Sequence, residues 1–167
     1  MIISLIVALD EDDAIGKDEG GLPWHLPAEI RHFRAYCRGR WMLLGRRTFD
    51  EMHGWFKDHT VLVLTHHPGT LALPGRAVDS VKEAIAIAQK AGVPELVVAG
   101  GAEVFALTIP LASRLVLSRI HTHSGGTVKF PPFKPATWHE VSRQDHREDE
   151  ENRHAFTICV LERTPRM

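Results

Sequence analysis

The chain is poor in the residues that staple or anchor a protein. Two cysteines in 167 residues make no disulfide framework. Cys37 falls in a helix-like stretch and Cys159 in a strand-like one, so both are read as reduced thiols. Neither sign of charge is in excess, because 20 Lys and Arg stand against 21 Asp and Glu. That balance leaves no global field to draw nucleic acid or a membrane surface, and any anion site must be local. The apolar run Ile2 to Leu9 is too short to cross a bilayer, and it has neither a basic leader nor a small-residue cleavage site. Eleven histidines include His121-x-His123 on one face of a predicted strand. No third ligand stands at a recognisable spacing, so no metal is expected. Repeats and low-complexity tracts are missing as well. The absences point to a cytoplasmic monomer, one domain over residues 1–167, with neither nucleic-acid nor membrane partners.

What the chain does contain is an alternation of strand and helix signals. Ile2–Leu9 is a near-continuous apolar run, the pattern of a strand buried on both faces and central in its sheet. A polar, glycine-bearing loop from Asp10 to Leu26 is too long for a simple connection. A helix from Pro27 ends near Gly39. Strands are predicted at 41–44, 60–64, 95–99 and 114–122, and helices at 46–53, from the Ser80-x-x-Glu83 capping box to Gly92, and at 102–109. Strands at 138–145 and 154–162 close the chain, with the charge run Arg147 to Glu151 as a solvated hairpin tip. The pattern is an α/β fold with a mostly parallel sheet finished by an antiparallel C-terminal pair.

One acid stands out in Leu22-Pro23-Trp24-His25-Leu26-Pro27-Ala28-Glu29. Pro27 suits a first helical position, which puts Glu29 in the first turn. Offsetting the helix dipole is the ordinary use of such a residue. Here the residue before Pro27 is Leu26, so there is no capping box for Glu29 to complete. Helical spacing aligns it instead with Phe33 and Tyr36, where an apolar cleft would raise its pKa. Three strand ends also carry anion-friendly chemistry: Gly45-Arg46-Arg47-Thr48, Leu64-Thr65-His66-His67, and Gly100-Gly101-Ala102-Glu103-Val104. Together they fit a nucleotide with more than one phosphate, and arginines rather than an acid favour NADP over NAD.

These residues, with Ser4-Leu5-Ile6-Val7-Ala8, Ile15-Gly16, Phe49, Phe105 and Phe130-Pro131, resemble the dihydrofolate reductase family in order and spacing over essentially the whole chain. The resemblance implies an eight-stranded, mostly parallel sheet with an antiparallel C-terminal strand and about four helices. It implies NADPH as cofactor and hydride transfer to C6 of dihydrofolate. Glu29 would hydrogen-bond the pterin 2-amino group and N3 and promote N5 protonation, Trp24 would hold a water near it, and Leu22 would tip the loop closing over the nicotinamide. Ile6, Val7, Ala8, Ile30, Phe33, Met52, Phe56, His59, Ala99, Phe105 and Ser118 would form the substrate site. Ala8, Ile15, Gly16, Gly45, Arg46, Arg47, Thr48, Leu64, Thr65, His66, Gly100, Gly101, Ala102, Glu103 and Val104 would hold the cofactor.

The chain departs from the family pattern at four positions. His59 stands where most members have an arginine for the α-carboxylate of the folate tail, so an unusually high KM for dihydrofolate is expected. The acid is Glu29 rather than the aspartate typical of many bacterial members, which implies reduced trimethoprim sensitivity. Phe105 replaces a common tyrosine, and Thr127 an aspartate that follows the glycine in the late loop. Two alternatives remain at this level. One is a related NADPH-dependent reductase acting on a pterin or, in the riboflavin pathway, on a pyrimidine sugar phosphate, against which Trp24 and Glu29 speak. The other is a pterin- or nucleotide-binding protein without turnover.

Overall fold

Apolar runs that alternate between two faces must be covered on both, and the helices of this chain do so. In the computed structural model, which describes residues 1–165, the elements are β1 (Ile2–Leu9), β2 (Ala14–Gly16), α1 (Pro27–Cys37), β3 (Trp41–Gly45), α2 (Arg46–Glu51), β4 (Thr60–Leu64), β5 (Gly75–Val78), α3 (Val81–Lys90), β6 (Glu95–Val98), α4 (Ala102–Thr108), β7 (Arg114–Ile120), β8 (Val128–Lys129), β9 (Trp138–His146) and β10 (Phe156–Arg163). Eight strands form one sheet in the order β5-β4-β3-β6-β1-β7-β10-β9. The pairs β1–β6, β1–β7, β3–β4, β3–β6 and β4–β5 are parallel, whereas β10 runs antiparallel to both neighbours. Leu5, Val7, Leu9, Leu43, Leu96 and Val98 feed the core on one face, and Ile6, Met42, Leu44, Val61, Val63 and Val97 feed it on the other. This is the period-2 consequence of strands that are apolar at every position.

Two strand features escape the sequence pattern. β5 is only Gly-Arg-Ala-Val and half exposed, an edge strand recognisable chiefly by its parallel pairing with β4. The long loop after β1 is partly structured, because β2 pairs with β8 in a separate two-stranded ribbon. Elsewhere the boundaries differ by one or two residues. The capping box forms as expected, with Glu83 N–H donating to Ser80 Oγ at 3.0 Å.

At the amino ends of the central strands, Glu95 is 8% exposed and gathers four partners. Ser4 Oγ and Tyr36 OH each donate to it at 2.6 Å, Arg40 Nε lies 3.0 Å away, and Arg114 Nη1 lies at 3.8 Å. Burial pushes this carboxyl up, but the Ser4, Tyr36 and Arg40 donors outweigh burial and hold it below the usual range. Tyr36 thus turns away from the cleft that helical spacing had suggested and ties α1 to β6. Glu95→Ala strands several of these donors. We expect a loss of about 3 kcal/mol, read as a lower melting temperature with activity retained at moderate temperature.

Candidate active site

The chain leaves β1 toward β3 on one side and toward β7 on the other, with β6 inserted beside β1. A crevice therefore opens at the carboxyl ends of the strands. A cleft of about 770 Å³ occupies it, lined by residues from the ends of β1, β3, β4 and β6 and from the first turns of the helices.

Glu29 sits in this cleft with Ile6, Val7, Ile30, Phe33 and Met52. Pro27 opens α1 as expected, and Leu26 provides no side-chain cap. The carboxyl is 6% exposed. Burial raises its pKa to about 6 from an ordinary 4.5, opposed by the Ser118 hydroxyl beside it on β7. Among the described residues no cation pairs with it. Trp24, packed with Leu26 and Ala28, is buried, and its Nε1–H meets no protein acceptor. It is therefore a buried donor without a partner, on the segment that leads into α1.

At the other end the walls are nearly bare backbone. Gly45 N–H donates to the Gly100 carbonyl at 2.8 Å, and a Cβ on Gly45 would lie 3.1 Å from Val104 Cγ2. Gly100 has φ +129°, a conformation that only glycine adopts freely, and a Cβ on Gly101 would meet Thr48 Oγ1 at 3.2 Å. The Gly100–Gly101 peptide is cis. A floor without side chains, flanked by the Thr48 hydroxyl, Thr65, His66 and a guanidinium, fits a pyrophosphate. The two arginines divide the work. Arg46 is committed within the protein: it pairs with Asp50 at 3.0 Å and donates to the carbonyls of His67 at 3.0 Å and Thr70 at 2.8 Å. Arg47 is the more exposed of the pair; its Nε pairs with Glu51 at 3.2 Å and its Nη2 donates to the Asp18 carbonyl, which leaves Nη1 without a hydrogen bond among the described residues.

The loop between β2 and α1 closes the mouth, with Leu22 on its cleft side and 46% exposed. Asp18 N–H donates to Thr127 Oγ1 at 3.2 Å, so the threonine found in place of an aspartate contacts the closing loop. Arg47 Nη2 reaches the Asp18 carbonyl at 2.5 Å from the opposite wall. At the root of the loop, Asp10 is fully buried, and its carboxylate accepts from Asp12 N–H, Ala14 N–H, Ser124 N–H and Ser124 Oγ. Burial alone would raise its pKa, yet these four donors pull it down to about 2.

Most residues expected at the site line the cleft: Ala8, Ile15, Gly16, Leu22, Glu29, Leu64, Ala99, Ala102, Glu103 and Phe105 join those already placed. Four do not line it. Ser118 lies beside Glu29 without lining the cleft, and Trp24 packs with Leu26, Ile120 and Phe156. Phe56 stacks on Phe49 in the core at 5.4 Å, and His59 stacks on Trp55 at 4.9 Å. Trp55 lines the cleft and contacts Phe33 at 5.3 Å, a role that sequence reading gave to its neighbour Phe56. Lys17, Gly20, Gly21, Glu51, His67 and Val128 also line the cleft without having been expected there. His121 and His123 pair with Glu11 and Asp12, and no group of three metal-ligating side chains occurs among the described residues. No helix among the described residues is long and apolar enough to cross a membrane.

A mostly parallel sheet whose cleft has a bare-backbone floor flanked by hydroxyls and a guanidinium at one end, and a single buried acid at the other, has the arrangement of an α/β nucleotide-binding enzyme. The dihydrofolate reductase family model matches residues 2–163. Dihydrofolate reductase type 3 of Salmonella typhimurium is 34% identical over 98% of this chain and 99% of its own length, and dihydrofolate reductase of Bacillus subtilis is 32% identical over 97% and 95%. The structure of dihydrofolate reductase from Enterococcus faecalis, complexed with NADP(H) and RAB-propyl, superposes with a TM-score of 0.89 at 32% identity, covering 98% of this chain and 97% of that one. The chain belongs to the dihydrofolate reductase family, and dihydrofolate reductase activity follows from that membership.

Proposed function

We propose that the protein reduces 7,8-dihydrofolate to 5,6,7,8-tetrahydrofolate with NADPH. The observation that carries the mechanism is the burial of Glu29, with its pKa near 6 and no cation beside it, at the apolar end of the cleft. The residues present suit the cofactor: Gly45, Thr48, Gly100 and Gly101 would take the pyrophosphate on backbone, Arg47, Thr65 and His66 the adenosine phosphate end, and Ala8, Ile15 and Gly16 the nicotinamide side. NADPH, when bound, supplies the hydride delivered to C6 of the pterin. The protein contributes alignment between the walls of the cleft, exclusion of water by the loop bearing Leu22, and one proton path. In that path Glu29 accepts the pterin 2-amino and N3 hydrogens and keeps protonation of N5 favourable, with the free Nε1–H of Trp24 orienting a water between them.

The remaining features of the reading follow from composition and from the departures. Balanced charge supports the absence of nucleic-acid partners, and a length of 167 residues supports a single domain; a cytoplasmic monomer completes the reading. Glu29 in place of aspartate supports reduced trimethoprim sensitivity, measured as a raised inhibitory concentration beside an aspartate-bearing member. His59, kept neutral by burial in spite of Asp58, supports weak binding of the glutamate tail. The direct test is loss of NADPH absorbance with dihydrofolate, run against a pyrimidine sugar phosphate. Turnover of the second compound alone would overturn the reading.

A further inference from the structure

Helix α1 carries Glu29 but no cap of its own, because Leu26 stands at the cap position and offers no acceptor. Pro27 removes one unsatisfied N–H of the first turn. The next, on Ala28, donates to Asn152 Oδ1 at 3.0 Å from a residue 124 positions away. Asn152 is 3% exposed, in the hairpin between β9 and β10. Asp149 fixes its orientation. Asn152 Nδ2 donates to the two Asp149 carboxylate oxygens at 3.0 and 3.3 Å, its backbone N–H donates at 2.7 Å, and its carbonyl accepts from Asp149 N–H at 2.9 Å. With the amide nitrogen held this way, the amide oxygen faces the helix. The far end of α1 is tied separately, by Tyr36 to Glu95. The hairpin joint therefore bears on the first turn alone, one residue from the acid.

We propose that Asn152, oriented by Asp149, is a positioning residue for Glu29: a cap supplied in trans that sets where the carboxyl sits and what potential it feels. This rests on Glu29 being the acid of the reaction. A first turn without its cap frays, and small displacements of a reacting group lower rates steeply. Other charged groups at the joint, Arg31, Asp145, Arg147, Glu148 and Glu151, are unchanged in the variants that test the idea.

Asn152→Ala removes the acceptor, Asn152→Asp keeps an acceptor and the backbone N–H bond to Asp149 but exchanges the amide donor for a charge, and Asp149→Ala frees the amide from an exposed site where misfolding is not a concern. Rates of the hydride step across pH, the pH dependence of binding of a pterin analogue, and NADPH affinity are measured for each. We expect Asn152→Ala to lower the hydride rate about tenfold with NADPH affinity unchanged, and Asp149→Ala to lower it less. Asn152→Asp recovers part of the rate and moves the midpoint assigned to Glu29 upward by about half a pH unit. Wild-type rates and midpoints in all three variants, with only the melting temperature lowered, would overturn the proposal. Glu29→Gln, measured alongside, separates the two readings. If it leaves the pH profile intact, the assignment of Glu29 fails rather than the role of Asn152.

Discussion

Glu29→Gln lowers the hydride rate with dihydrofolate by about 10²- to 10⁴-fold and flattens its pH profile, while the folded protein becomes more stable at neutral pH. The two effects have one cause. Burial lifts the Glu29 pKa from 4.5 to about 6, so the folded state holds this proton more tightly than the unfolded chain does. Below pH 4.5 the group is neutral in both states and costs nothing. As pH rises through about 6 the folded protein must ionise a desolvated carboxyl, and the shift corresponds to about 2 kcal/mol of stability forgone at pH 7. Glutamine keeps the shape and carries no charge, so a denaturant titration at pH 7 gains up to that amount and one at pH 4 gains almost none. In the unaltered protein the hydride rate is greatest below pH 6 and declines above it. An activity that survives the substitution unchanged would remove Glu29 from the mechanism.

His59→Arg tightens dihydrofolate binding about tenfold and leaves dihydropteroate, which lacks the glutamate, almost unaffected. The present imidazole cannot serve as a charged fork. Its Nδ1 accepts the Lys57 N–H at 3.3 Å, its Nε2 is buried without a partner, and burial lowers its pKa. It rests against Trp55, whose other contacts include Phe33 in the cleft, so an arginine there would start from the rim and extend outward. Equal KM values for the two substrates in the unaltered protein, diverging in the variant, are the expected pattern. A low dihydrofolate KM already present with His59 would mean that another cation holds the tail.

The legible parts of this molecule were those with strong local signals. β1, β3, β4, β6 and β7 announce themselves because strands buried on both faces are apolar at nearly every position, with Ser4, Glu95 and Ser118 as buried exceptions. The proposed cofactor end was legible because three strand ends carry anion-friendly residues together, where a lone glycine pair would say little. β5 was silent because four residues at an exposed edge carry no period. The partners of Arg46 were equally hidden, since the turn at 67–70 that absorbs its guanidinium reaches α2 only after β4 has paired with β3. Asn152 lay beside a charge run that reads as a solvated tip. Nothing local indicates that its amide closes a helix far earlier in the chain, because that contact exists only after β10 has joined β7.

The carboxylate of Asp10 gives the closing loop an unequal response to acid. A group depressed to about 2 contributes stability above the ordinary aspartate range and surrenders it only as pH falls toward 2. Acidification that fully protonates Glu29 therefore leaves the loop's root fastened to Ser124. The segment beyond that root, which includes Gly20 and Gly21 with φ values of +98° and +77°, is held by separate contacts, Asp18 N–H to Thr127 Oγ1 and Arg47 Nη2 to the Asp18 carbonyl. Acid therefore reaches the site well before it reaches the hinge of its entrance: between pH 6 and the ordinary aspartate range Glu29 gains its proton while the loop's root holds.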